Sequence, residues 1–101
     1  MKRMPYDIMN IMESYIATFY SHFGAMRFYK GLDAAHKKAR MAPVPRTLSS
    51  SCGTCVMFED AGDAFEEGYT DPHGEIEQIV AIVQDTPDTN GYRTVYRAKG
   101  A

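Results

Sequence analysis

SYIATFYSHFGAMRFYKGLDAA, residues 14–35, decides how the rest of the chain is read. Its first seven residues are dominated by β-branched and aromatic side chains, the composition of a strand. Ser21 then supplies an N-cap oxygen. From His22 to Ala35 the apolar period changes. Ala25, Tyr29 and Leu32 fall on one face at helical spacing, with Met26 and Phe28 flanking them. Gly24 and Gly31 weaken this helix without breaking it. Lys37 and Lys38 suit its negative C-terminal end. A strand followed by a helix is thus expected over 14–35.

Downstream, ARMAPV (39–44) reads as a second strand, held to a sheet edge or ended by Pro43 and Pro45. RTLSSSCG (46–53) is a loop of small polar residues, and TCVMF (54–58) a third strand. Residues 59–70 are acidic, carry Gly62 and Gly68, and read as a long loop with one helical turn near 64–67. Asp71-Pro72 resembles a helix start. The apolar residues Ile76, Ile79, Val80 and Val83 extend it as a core-facing helix. Asn90-Gly91 marks a turn, and YRTVYRA (92–98) alternates as a last strand. The order β-α-β-β-α-β predicts an α+β, ferredoxin-like fold: a four-stranded antiparallel sheet with both helices on one face. One such domain is expected over 14–101, preceded by an N-terminal extension over 1–13. In this fold Ser21, His22 and the start of the first helix face Cys52.

The chain has 101 residues, of which 45% are hydrophobic, which fits one folded domain with one core. No apolar run approaches the ~18 residues of a membrane span, and no apolar signal follows Lys2 and Arg3, so a cytoplasmic protein without a membrane is expected. Charge is segregated. Residues 59–88 hold ten acids and no Lys or Arg, while residues 27–46 hold six basic residues against Asp33 alone. Two solvated faces of opposite sign are expected, able to steer a charged partner. The net charge of -2 and the lack of a recognition motif disfavour nucleic acid.

Chemistry concentrates in Arg46-Thr-Leu-Ser-Ser-Ser-Cys52-Gly-Thr-Cys55. A thiolate is the reactive form of cysteine, so a working thiol needs access and positive potential. Arg46 is a fixed cation. Ser49, Ser50 and Ser51 offer hydroxyl and backbone donors, and Gly53 permits close backbone approach. The first helix start, beside Ser21 and His22, adds a positive dipole end. His22 is read as a cation partner or as a polar first-turn residue. Cys55 is read as a resolving thiol or as a buried structural one, since side chains at 52 and 55 along a strand point to opposite faces. An inert loop cysteine is the plain alternative for Cys52. One CxxC supplies two of the about four ligands of a structural zinc site, and His22, His36 and His73 add no ligand spacing. No metal and no cofactor is expected.

Tyr15-Ile-Ala-Thr-Phe19, Ser21, Ala25, Leu32, Pro43-Val-Pro45-Arg46, Leu48-Ser49-Ser50 and Cys52-Gly53 together resemble the selenium/sulfur carrier protein-like domains, small bacterial domains. The likeness runs from about 14 to 58 and more loosely to 96. It implies that Cys52 is the family's cysteine, a carrier of persulfide or selenide, with Arg46, Ser49 and Ser50 on motif positions. It also implies protein partners: a donor such as a cysteine desulfurase, and an acceptor such as a sulfur-carrier domain. The chain departs from the family at Cys55, where an apolar residue is usual, in the longer acidic stretch 59–70 and in its leader. A carrier or accessory protein is expected rather than an independent enzyme. The alternative is a binding or regulatory module with a redox- or metal-sensing CxxC, and a third is a dithiol enzyme using both cysteines. Exposed sheet edges leave a homodimer open.

Overall fold

A computed structural model describes residues 12–83 and 91–99. The elements in chain order are β1 (Met12–Phe19), α1 (His22–Ala34), β2 (Ala39–Pro43), β3 (Thr54–Ala61), α2 (Gly62–Gly68), β4 (Ile76–Ile82) and β5 (Tyr92–Arg97). The strands form one antiparallel sheet in the order β2-β3-β1-β4-β5. The expected α+β class holds, but the sheet has five strands where four were expected. The extension expected over 1–13 lies outside the described residues, apart from Met12 and Glu13, which open β1.

β1 is the central strand, and its sequence shows why. Five consecutive residues, Tyr15 to Phe19, are buried, which requires cover on both faces. Tyr15, Ala17 and Phe19 join Val56, Phe58, Ile76, Ile79 and Ala81 in one cluster. Ala25, Phe28, Tyr29 and Leu32 of α1 and Phe65 of α2 pack on it, so both helices lie on this face. The helical face read from residues 22–35 is therefore the face α1 buries. Ser21 is extended (φ -144°) and its Oγ accepts from the Gly24 N–H at 3.1 Å. α1 ends where His36 takes a left-handed φ of 62°. On the opposite face Ile16, Cys55 and Val80 form a second, smaller cluster.

Two expectations fail downstream. The acidic stretch is no long loop: β3 continues to Ala61 and a seven-residue helix follows at once. Its charges meet the basic segment. Lys37 pairs with Asp60 at 2.8 Å, Lys38 with Glu59 at 3.8 Å, and Arg27 with Glu75 at 3.1 Å. The two signs thus adjoin, and do not simply form two separate solvated faces.

The helix expected from Asp71 is instead strand β4. Asp71 does cap, but it caps a turn: its carboxylate accepts from the N–H groups of Glu75 (2.9 Å) and Ile76 (3.1 Å), and Gly74 turns with φ 63°. The apolar spacing that imitated a helix has a different cause. Thr18 pairs with Gln78 and Phe19 with Ile76, so Glu77 is an extra residue, a β-bulge. The bulge returns Ile76 and Ile79, three apart, to the same face, where a regular strand would separate them.

A clasp ties α2, β1 and β5. The buried Tyr15 hydroxyl donates to Glu66 at 2.9 Å, and Arg93 holds the same carboxylate with bonds of 2.7 and 3.2 Å while reaching Glu13 at 3.4 Å. Arg93 chiefly holds the Glu66 carboxyl below its ordinary 4.5, and burial pushes the Tyr15 hydroxyl well up. A depressed carboxyl pKa contributes stability that is present above the ordinary value and is lost as pH falls through the folded one. The melting temperature is therefore expected to fall as pH drops below 4.5. Arg93→Met should lower it at neutral pH and flatten that acid slope, as read by thermal unfolding across pH.

Candidate functional site around Cys52

The site begins with a ten-residue connection, 44–53, between two paired strands. Its base is closed by the Val44 N–H donating to the Gly53 carbonyl at 3.1 Å. Leu48 closes a turn onto the Pro45 carbonyl at 3.0 Å. Val44 and Leu48 pack against the second cluster, so the loop lies over the sheet face that carries no helix among the described residues. Three polar ties hold it there. Ser51 donates from N (3.1 Å) and Oγ (2.7 Å) to Glu77. Gln78 Nε2 donates to the Ser49 carbonyl at 3.2 Å. Thr47 Oγ1 and the Tyr92 hydroxyl share a bond of 2.8 Å.

Ser51 and its neighbour Cys52 are held on opposite sides of the sheet. Gly53 has φ 78°, a conformation that costs a side-chain-bearing residue about 1 kcal/mol or more. Cys52 packs, half-buried, against the helix-bearing cluster, whereas Cys55 lies in the other. Both thiols are free. The Cys52 thiol donates to the Thr54 carbonyl at 3.5 Å, and its backbone N–H donates to Ser50 Oγ at 3.4 Å. Thr54 Oγ1 lies 3.3 Å from His22 Nδ1 at the start of α1. The Cys55 thiol is 0% exposed and donates to the Pro43 carbonyl at 3.7 Å. Burial above all pushes its pKa up, which disfavours a nucleophilic thiolate there.

The expected group of residues is therefore split. Cys52, Ser50, Gly53 and His22 meet around Thr54. Ser49 and Ser51 are drawn away toward β4. Ser21 Oγ is spent on the α1 cap. Arg46 is exposed, and no hydrogen bond or ion pair joins it to Cys52 among the described residues. Thr54, Glu77 and Gln78 were missed. Glu77-Gln78 left a signal: two adjacent polar residues interrupt an otherwise apolar strand, IEQIVAI, as a bulge does.

Elsewhere, an apolar groove of about 650 Å³ runs between α1 and residues 65–76, lined by Phe28, Leu32, Phe65 and Tyr69 among others, and does not include Cys52. Among the described residues no three His, Cys, Asp or Glu side chains are grouped to hold a metal ion, and no helix is long and apolar enough to cross a membrane.

No curated protein and no solved structure matches the chain. A family model matches residues 14–81, which span β1 to β4 and include both cysteines, His22 and Glu77. On that match over two thirds of its length, the chain belongs to the family described as Putative Se/S carrier protein-like.

Proposed function

We propose that the protein carries one sulfur or selenium atom on Cys52 between a donor protein and an acceptor protein. The observation that carries this reading is the asymmetry of the two thiols. Cys52 is free, partly exposed and on a loop beside the first turn of α1, while Cys55 is sealed in apolar packing. A carrier needs a thiol that a bulky partner can reach, and a partly exposed loop residue beside a paired strand offers one.

The transfer is a thiol exchange. The Cys52 thiolate attacks the outer sulfur of a donor's cysteine persulfide. A sulfur–sulfur bond forms on Cys52, the donor's own bond to that sulfur breaks, and the donor leaves as a thiolate. No net oxidation occurs, and a selenium atom bound to a donor sulfur moves in the same way. Unloading repeats the step with the acceptor's thiolate as nucleophile. The first turn of α1 presents the positive end of its dipole beside the site, where His22 Nδ1 lies 3.3 Å from Thr54 Oγ1. The opposite facing of Cys52 and Cys55 speaks against a dithiol cycle in the folded state. A reducing compartment such as the cytoplasm suits a thiol that must stay free.

The test is to incubate the reduced protein with a cysteine desulfurase and cysteine, or with a selenium donor, and to weigh it intact. A gain of one chalcogen atom is expected. An unmodified mass across all donors overturns the reading.

A further inference from the structure

Glu77 lies on β4, three strands along the sheet from the β2 end of the Cys52 loop. Its carboxylate is nonetheless the most heavily used acceptor around that loop. One oxygen takes the Ser51 N–H at 3.1 Å and lies 3.4 Å from the Thr18 hydroxyl, and the other takes the Ser51 hydroxyl at 2.7 Å. Ser51 is bonded covalently to Cys52. The next residue, Gln78, is buried and donates to the Ser49 carbonyl at 3.2 Å. A regular strand would aim residues 77 and 78 at opposite faces. Only the bulge at Thr18/Phe19 lets both reach the loop. The bulge and the two polar side chains thus make a two-pronged clamp on residues 49–51.

We infer that Glu77 is a positioning residue for Cys52: it holds Ser51 on the face opposite the helices, so that the next residue, Cys52, is laid against the helix-bearing face. This rests on the reading that Cys52 is the working thiol. The clamp also turns the Ser51 donors away from the sulfur, leaving Ser50, Gly53 and Thr54 as the groups next to it. Released, the loop opens locally while the sheet beneath it persists, because Val56, Phe58, Ile79 and the rest of the larger cluster do not depend on Glu77.

The experiment is timed alkylation of the native full chain with iodoacetamide, with Cys52 and Cys55 quantified separately by peptide mass spectrometry. Cys55 serves as the internal gauge of global opening. Glu77→Ala removes acceptors of charge-assisted bonds and is expected to raise Cys52 labelling about tenfold, with Cys55 still protected. Glu77→Gln keeps one acceptor oxygen and should fall between wild type and Glu77→Ala. Ser51→Ala removes one prong from the other side, should raise labelling by a smaller factor, and serves alone if Glu77→Ala does not fold. An unchanged Cys52 rate in the folded variants overturns the inference. So does a parallel rise of Cys52 and Cys55, which reports general destabilisation only. No chalcogen donor enters the assay, so its outcome is separate from that of the loading experiment.

Discussion

Phe58→Ala is expected to cost about 3–5 kcal/mol of folding stability, the usual range for emptying an aromatic site in a core. Phe58 is 3% exposed, and its ring meets Tyr15 at 5.3 Å, Phe28 at 5.4 Å and Phe65 at 5.1 Å between centroids. It is the ring at which β1, α1 and α2 all touch β3. Alanine would withdraw three aromatic contacts at once and leave a hole between layers that cannot easily close. A domain of this size has about 5–15 kcal/mol in total, and each kcal/mol moves its melting temperature by about 4–8 °C. Thermal unfolding should therefore shift down by ~15 °C or more. Met57→Ala, one residue earlier on the opposite face and only half-buried, should shift it far less. A Phe58→Ala shift of only a few degrees would contradict the packing described.

Cys52→Ser is expected to abolish chalcogen uptake altogether while leaving the melting temperature nearly unchanged. The side chain is half-buried, and its one bond, to the Thr54 carbonyl, can be made by a hydroxyl. Serine lacks the soft nucleophile that attacks a persulfide sulfur. Cys55→Ala should behave in the opposite way. It empties a fully buried position among Ile16 and Val80 and lowers stability measurably, yet loading should persist at close to the wild-type level. Uptake by Cys52→Ser would move the chemistry to Cys55. Loss of uptake in a folded Cys55→Ala would show that both thiols are needed, and would favour the dithiol reading. Intact mass after exposure to a donor, alongside thermal unfolding, distinguishes these results.

The parts of the fold legible in the sequence are those where local pattern and tertiary position agree. Residues 14–35 show a change of period at a capping serine, and the structure has β1, the Ser21 cap and α1 there. YRTVYRA is the edge strand β5, but its burial does not follow the alternation: a bulge sets Val95 and Tyr96 together against the larger cluster and Tyr92 against the smaller one. β4 was misread because its bulge imposes a three-residue repeat on a strand, and Asp71-Pro72, a turn cap, sits where a helix cap would. α2 was reduced to one turn because its propensity is weak: glycines bound it at 62 and 68 and the helix has no side-chain cap. It is held by Phe65 in the core and Glu66 in the clasp, contacts that depend on β1 and β5, far away in sequence. At the site, the opposite facing of Cys52 and Cys55 was readable from strand geometry. The clamp was not, because Ser51 and Glu77 are 26 residues apart and joined only by the topology.

The central claim is that Cys52 alone receives the chalcogen. The direct measurement is peptide mapping of the wild-type protein after loading by a persulfide or selenium donor, without reduction, so that the added atom is located on one cysteine. The account predicts it on the peptide position of Cys52 with Cys55 unmodified. The added atom on Cys55, or on neither residue, would contradict it.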